Sequence, residues 1–175
     1  MQDERIPDNY RSAVRTDMLV FLPKTFERVL EIGCGEGGFR GNLPEETEYW
    51  GVEPDPVAVK KAMDVYVSDT FICGLFPQQQ SKLPDDHFDV VVCNDIIEHV
   101  ENTEELFYFL KKKLRSGGVL VASIPNVRHI SHLKELLIKR DWEYKDSGIL
   151  DRTHLRFLPR KASLICVNSK GLNLR

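Results

Sequence analysis

The sequence predicts an α/β domain with a Rossmann-like, doubly wound, mostly parallel sheet, and three observations predict it. The run Val29-Leu30-Glu31-Ile32 passes into Gly33-Cys34-Gly35-Glu36-Gly37-Gly38, a buried strand followed by a glycine turn too tight for side chains. Glu53 closes a second apolar run in Gly51-Val52-Glu53-Pro54-Asp55, 20 positions after Gly33, which is the layout of a βα unit that holds a nucleoside. Phe88-Asp89-Val90-Val91-Val92-Cys93 is apolar on both faces, as a central parallel strand requires.

Taken in order, Tyr10, Ala13, Val14, Met18, Phe21 and Leu22 recur at helical spacing as far as Pro23, so a helix is expected ahead of the first strand. Strands follow over 28–32 and 49–53. Asp55 is placed to cap a helix with Pro56 at its first position, and Val65-Tyr66-Val67-Ser68 predicts a short third strand. Beyond a polar loop, strand 4 occupies 88–93. Asn102 and Glu105 resemble a capping box for a helix over 102–114, which buries Leu106, Phe107, Phe109, Leu110 and Leu114 and is stopped by Gly117-Gly118. Lys111, Lys112, Lys113 and Arg115 complement the negative end of that helix. Strand 5 spans 119–124, and helices are expected over 130–139 and 159–168. Right-handed β-α-β crossovers join these pieces into one sheet.

With 175 residues, 42% hydrophobic and 29% charged, the chain forms one core and is most economically a single domain over 1–175. A net charge of −3 without a long basic run argues against a strong nonspecific hold on nucleic acid. No apolar run approaches the roughly 18 residues of a membrane span, and no export signal or anchor is visible. Cys34, Cys73, Cys93 and Cys166 lack metal-binding spacing and are expected as reduced, buried thiols of a cytoplasmic protein.

The glycines alone do not choose the nucleoside, since Gly33, Gly35 and Gly38 also fit the dinucleotide pattern G-x-G-x-x-G. A dinucleotide lays its pyrophosphate on the N–H groups of that turn, and Glu31 and Glu36 flanking it would repel the anion. S-adenosylmethionine carries no phosphate, has two cationic groups, and offers two ribose hydroxyls to one carboxylate. An NAD-dependent oxidoreductase and a noncatalytic nucleoside-binding domain are the readings from other classes.

Residues Val29 to Gly37 resemble motif I of the class I S-adenosylmethionine-dependent methyltransferases, hydrophobic-(D/E)-x-G-x-G-x-G, at every position. The resemblance implies that Glu31 acts near the methionine ammonium and that the backbone of Gly33, Cys34, Gly35 and Gly37 lies against the ligand. It further implies that Glu53, followed by Pro54, takes the ribose hydroxyls. Asp69-Thr70 resembles the position where an aspartate accepts from the adenine amino group. Asn94-Asp95-Ile96-Ile97-Glu98-His99-Val100 resembles the family's motif after strand 4, with Asn94, Asp95 and Ile96 beside the methionine moiety. Tyr10 either meets the cofactor carboxylate or completes the first helix's apolar face.

On this reading residues 24–124 bind the cofactor and 125–158 form an acceptor-side cap. The stretches Pro125 to His129 and Gly148 to Phe157 resemble bacterial and archaeal small-molecule methyltransferases of the polysaccharide- and glycolipid-associated type, which implies a sugar or glycolipid-precursor hydroxyl as acceptor and S-adenosylhomocysteine as product. His99, His129 and His154 are unranked candidates for a base. Arg152, His154 and Arg156 either recognise an anionic acceptor or pair with Asp151 and Asp146. His129 and His132 stand at i, i+3 without a third ligand, so no metal site is expected. Gly171 to Arg175 reads as a strand only begun, and the C-terminal strands as incomplete. Strand 5 would then be an open edge, which predicts dimerisation or reduced stability.

Overall fold

The computed structural model describes residues 12–76, 78–127, 129–139, 142, 144–145, 148–156, 165–168 and 171–174. Seven strands form one sheet: β1 (Arg28–Ile32), β2 (Glu48–Glu53), β3 (Thr70–Cys73), β4 (Phe88–Asn94), β5 (Leu114–Ser123), β6 (Ile165–Asn168) and β7 (Gly171–Leu174). Their order is β3-β2-β1-β4-β5-β6-β7. The first five run parallel, and β6 and β7 are antiparallel to their neighbours. The helices are α1 (Pro56–Val65), α2 (Thr103–Lys113) and α3 (Ile130–Lys139).

Alternating side chains of the central strands send apolar groups to both faces. Leu30, Ile32, Val91, Cys93, Leu120 and Ala122 pack with Leu106 and Leu110 of α2. Val29, Val90, Val92 and Val121 pack with Met18, Phe39, Leu43 and Tyr49 on the opposite face. Every residue of β4 is buried, as its two-faced apolar run requires. The order reverses between β1 and β4, and this switch point opens a crevice at the strands' carboxyl ends.

Capping follows the sequence. The Asp55 carboxylate accepts from the Val57 N–H at the start of α1, and the Asn102 side chain accepts from the Glu105 N–H at the start of α2. Lys113, by contrast, is buried at the end of α2, where its ammonium donates to the Leu83 carbonyl at 2.8 Å and to Asp85 at 2.6 Å.

Several expectations are corrected. The segment before β1 forms a 3-10 turn over Thr16–Phe21 in place of a long helix, and it still delivers Met18 to the core. Val65 ends α1, whose last turn is closed by the Tyr66 N–H on the Ala62 carbonyl, so the third strand forms at Thr70–Cys73. Gly117 and Gly118 lie within β5 and do not end α2; the chain enters β5 directly at Leu114, opposite Phe88. Residues Ile165–Asn168 are a strand, not helix, and β6 lies against β5 with Leu120 opposite Val167. Strand 5 is therefore not an open edge, and the reason for expecting a dimer falls away. Cys34 and Cys93 are buried free thiols as expected, whereas Cys73 is exposed.

Candidate functional site

The carboxyl end of β1 builds the first wall of the crevice. Gly33, Gly35 and Gly37 all take positive φ, a conformation that favours glycine. At Gly33 a Cβ would also stand 2.2 Å from Cδ1 of Ile96, so the turn and the loop after β4 touch where Gly33 carries no side chain. Cys34 is buried, and its sulfur packs over Gly51 of β2. Its thiol titrates well above the ordinary range, because burial and then the charges of Glu31 and Glu53 oppose a thiolate. That makes the Cys34 side chain a packing group.

Glu53, at the end of β2, is the best-held acid in the crevice. One carboxylate oxygen accepts from the Gly35 N–H and the other from the Asp55 N–H, each at 3.0 Å. Those bonds fix the carboxylate plane. Pro54 follows it, and the Cys73 thiol donates to the Pro54 carbonyl at 3.7 Å.

Glu31 sits on the other face of the turn. Tyr49 donates its hydroxyl to one carboxylate oxygen, and the Asn94 amide donates to the other at 3.2 Å. Burial nevertheless dominates and pushes the carboxyl up to about 7, against the two hydrogen bonds that favour its ionised form. Among the described residues, the Asn94 amide oxygen is buried without a hydrogen-bond partner. An acid and an amide so placed suit a cationic ligand group.

The loop after β4 carries the opposite wall. Asp95 adopts a left-handed backbone, accepts from the Ser123 hydroxyl at 2.8 Å, and pairs with the Arg15 guanidinium. Ile97–His99 forms a 3-10 turn that buries Ile97 and Glu98. Residues 148–156 strap across this turn. The Leu155 N–H donates to the Glu98 carbonyl at 2.8 Å, and the Arg156 guanidinium donates to the carbonyls of Val100 and Glu101. The Thr153 hydroxyl donates to Asp151 at 2.6 Å, and both Thr153 oxygens then accept from Nδ1 of His99, at 3.3 Å and 3.1 Å. The rings of His99 and His154 meet edge to face, with centroids 4.9 Å apart. Burial, followed by the neighbouring His154, lowers the pKa of His99.

Sequence reading and structure part at several positions. Asp69 and Thr70 do not follow the third strand; Thr70 begins β3, so both lie at the amino end of the sheet, away from the crevice. Asp69 instead forms a buried ion pair with Arg40 at 2.6 Å. The residues that β3 does bring to the crevice are Cys73, Gly74 and Leu75, with Cys73 in register with Glu53. The β-branched and aromatic run Thr70-Phe71-Ile72 was the signal for them. His129 is exposed at the start of α3, while His99 and His154 come together. Tyr10 lies outside the described residues. Arg156 donates to the backbone carbonyls of Val100 and Glu101, a structural role different from the expected pairing with Asp151 and Asp146. Tyr49, Arg15 and Ser123 were not foreseen, because each reaches the site through a contact that no local motif records.

A parallel sheet with its switch point between β1 and β4, a glycine turn after β1, and an acid closing β2 define a class I S-adenosylmethionine-dependent methyltransferase fold. Residues 6–174 match the methyltransferase domain family, and the chain belongs to it. Among solved structures it resembles an S-adenosylmethionine-dependent methyltransferase from Archaeoglobus fulgidus, with a TM-score of 0.64 and 24% identity over 85% of this chain and 63% of that one. It also resembles the PH0226 protein from Pyrococcus horikoshii, with a TM-score of 0.57 and 28% identity over 75% of this chain and 66% of that one. Among curated sequences it is 29% identical over 103 residues to the mitochondrial ubiquinone biosynthesis O-methyltransferase of Schizosaccharomyces pombe, covering 55% of this chain and 37% of that protein. The chain thus spans well under half the length of that relative. Among the described residues, no helix is long and apolar enough to cross a membrane.

Proposed function

We propose that the chain is an S-adenosylmethionine-dependent methyltransferase acting on a hydroxyl of a small-molecule acceptor, with a sugar or glycolipid precursor as the acceptor class. The observation that carries the reading is the Glu53 carboxylate, pinned between the N–H groups of Gly35 and Asp55 beside the glycine turn. It is preorganised to accept two vicinal ribose hydroxyls. Glu31 and Asn94 face the methionine ammonium, and the backbone of Gly33 to Gly37 lies along the nucleoside, closed by Asp95 and Ile96. Cys73 to Leu75 take the adenine side in place of Asp69 and Thr70. Residues 24–124 form this cofactor half, and 125–158 the acceptor half, within a cytoplasmic enzyme.

In-line transfer moves the methyl from a sulfonium that leaves as a neutral thioether. The chain therefore has to align donor and acceptor, exclude water and remove one proton from a hydroxyl. Among the candidate histidines, His99 and His154 stand together next to Glu98 and are favoured for that task over exposed His129.

Titration calorimetry with S-adenosylhomocysteine and with NAD tests the cofactor. Binding of the former with release of a proton, as the ligand's ammonium re-ionises Glu31, is the expected result. Binding of NAD alone would overturn it. Methyl transfer from labelled S-adenosylmethionine across a panel of sugars, nucleotide sugars and phenols tests the acceptor.

A further inference from the structure

Glu98 poses a problem that methyl transfer alone does not solve. Its side chain is wholly buried, and among the described residues neither carboxylate oxygen has a hydrogen-bond partner. An acid in that state needs a compensating positive charge or proton. A candidate partner is His154, its side chain only 6% exposed, with Nε2 4.0 Å from the Glu98 oxygen; the Arg15 guanidinium also favours the ionised carboxylate.

The two histidines are held in matching tautomers. Nδ1 of His154 lies 3.1 Å from the Ile149 carbonyl, which can only accept, so Nδ1 carries a proton and the neutral ring has its lone pair on Nε2. The same logic holds for His99. Thr153 spends its hydroxyl proton on Asp151, so both Thr153 oxygens accept from Nδ1–H and the lone pair again falls on Nε2. Backbone and carboxylate-linked partners of this kind are what orient metal-ligating imidazoles. One ligand atom from each of Glu98, His99 and His154 lies within 4.8 Å of the others.

We propose that Glu98, His99 and His154 form a binding site for a divalent first-row transition ion on the acceptor side of the crevice. One carboxylate and two neutral imidazoles suit zinc or its neighbours better than magnesium or calcium, which prefer all-oxygen shells. Three protein ligands leave room for an acceptor oxygen. Ligands of a bound ion stand roughly 3 Å apart, given bonds of about 2.0 to 2.2 Å, so the group contracts on loading. The site deepens the methyltransferase reading and rests on it only for the use of the ion: once the ion takes the Nε2 lone pairs, the two histidines no longer act as the base, and the ion replaces them by making the acceptor O–H more acidic. Its proton then leaves to solvent, the oxygen bonds the methyl carbon, and the C–S electron pair stays on sulfur.

The test is calorimetric titration of the chelator-treated protein with Zn²⁺, together with the absorption spectrum of the Co²⁺-loaded protein. We expect one Zn²⁺ per chain and Co²⁺ bands without a sulfur charge-transfer component. H154A should weaken binding at least ~100-fold, since even orienting partners are worth roughly ten- to a hundredfold, and T153V should weaken it by about tenfold. Glu98→Gln is the companion variant, with circular dichroism confirming that each folds. Affinity weaker than about 100 μM, sulfur ligation, or binding unchanged in both H154A and E98Q would overturn the site. S-adenosylhomocysteine binding is measured on the same samples. Zn²⁺ bound without it would unseat the methyltransferase reading and leave the metal site standing, and the reverse result would remove the metal site alone.

Discussion

In the wall of the crevice built by β1 and β2, the Glu53 carboxylate is held by backbone donors close to it in the chain. Gly35, 18 residues from Glu53, offers its N–H to that carboxylate, and Asp55 offers a second from two residues away. The wall built by the loop after β4 is held by side chains from far along the chain: His99 reaches Thr153 across 54 residues, and Arg156 reaches Val100 across 56. A nucleoside of fixed shape needs a rigid, local cradle, whereas the acceptor side can be rebuilt by changing the strap without disturbing the sheet. Mutations should therefore act differently on the two walls, losing fold and cofactor together on the first and acceptor chemistry on the second.

The hardest test of the first wall is Gly33→Val. Gly33 has φ +75°, and a Cβ there meets Ile96 at 2.2 Å. Left-handed strain and overpacking together should cost roughly 2 to 4 kcal/mol of stability in urea unfolding, with loss of measurable S-adenosylhomocysteine binding. A variant with native stability and affinity would show that the turn is looser than its geometry implies. Next in size, Glu53→Ala should weaken cofactor affinity by about 1.5 to 3 kcal/mol in calorimetry, the value of a charge-assisted hydrogen bond. Glu53→Gln retains an acceptor and should fall between; equal affinities for all three would remove the ribose contact.

Glu31 makes a pH prediction of unusual sign. Its carboxyl is raised from 4.5 to about 7 in the folded chain, so between those values the folded state holds a proton that the unfolded state has lost. Stability contributed by this group is complete below about 4.5 and is lost as pH rises toward about 7. Glu31→Gln keeps an acceptor for Tyr49 and turns its NH2 toward Asn94, whose amide can flip to accept it, and it should flatten that decline by on the order of 2 kcal/mol in unfolding curves. Parallel wild-type and variant curves across the window would mean that Glu31 is already ionised.

The same contrast explains what could be read in the sequence. Val29 to Gly38, Glu53, the Asp55 cap and β4 were legible because each is a short-range pattern with a local physical cause. Strand 3 was misplaced because Val65 satisfies the helix it ends as well as a strand, and that error carried Asp69 and Thr70 to the wrong end of the sheet. The Glu98–His99–His154 group was illegible for a different reason. His154 looks like one polar residue in a polar stretch until the strap folds back over residues 97–101, and nothing in the spacing of 99 and 154 encodes that return.

The smallest expected effect bears on that strap. Arg156 donates to the carbonyls of Val100 and Glu101, groups that end the 3-10 turn and precede α2, so it ties the second wall to the strap through backbone acceptors. Arg156→Ala removes both bonds from a partly exposed position, where water replaces them, so global stability should fall by only about 1 kcal/mol. The local consequence is larger than the global one. The Leu155 amide, bonded to the Glu98 carbonyl, should exchange its hydrogen faster, while Gly33 and Gly35 amides keep their protection. Cofactor affinity should stay within error, because nothing on the first wall touches Arg156. If Gly35 exchange accelerates equally, the two walls form one cooperative unit, and acceptor specificity could not change without disturbing cofactor binding.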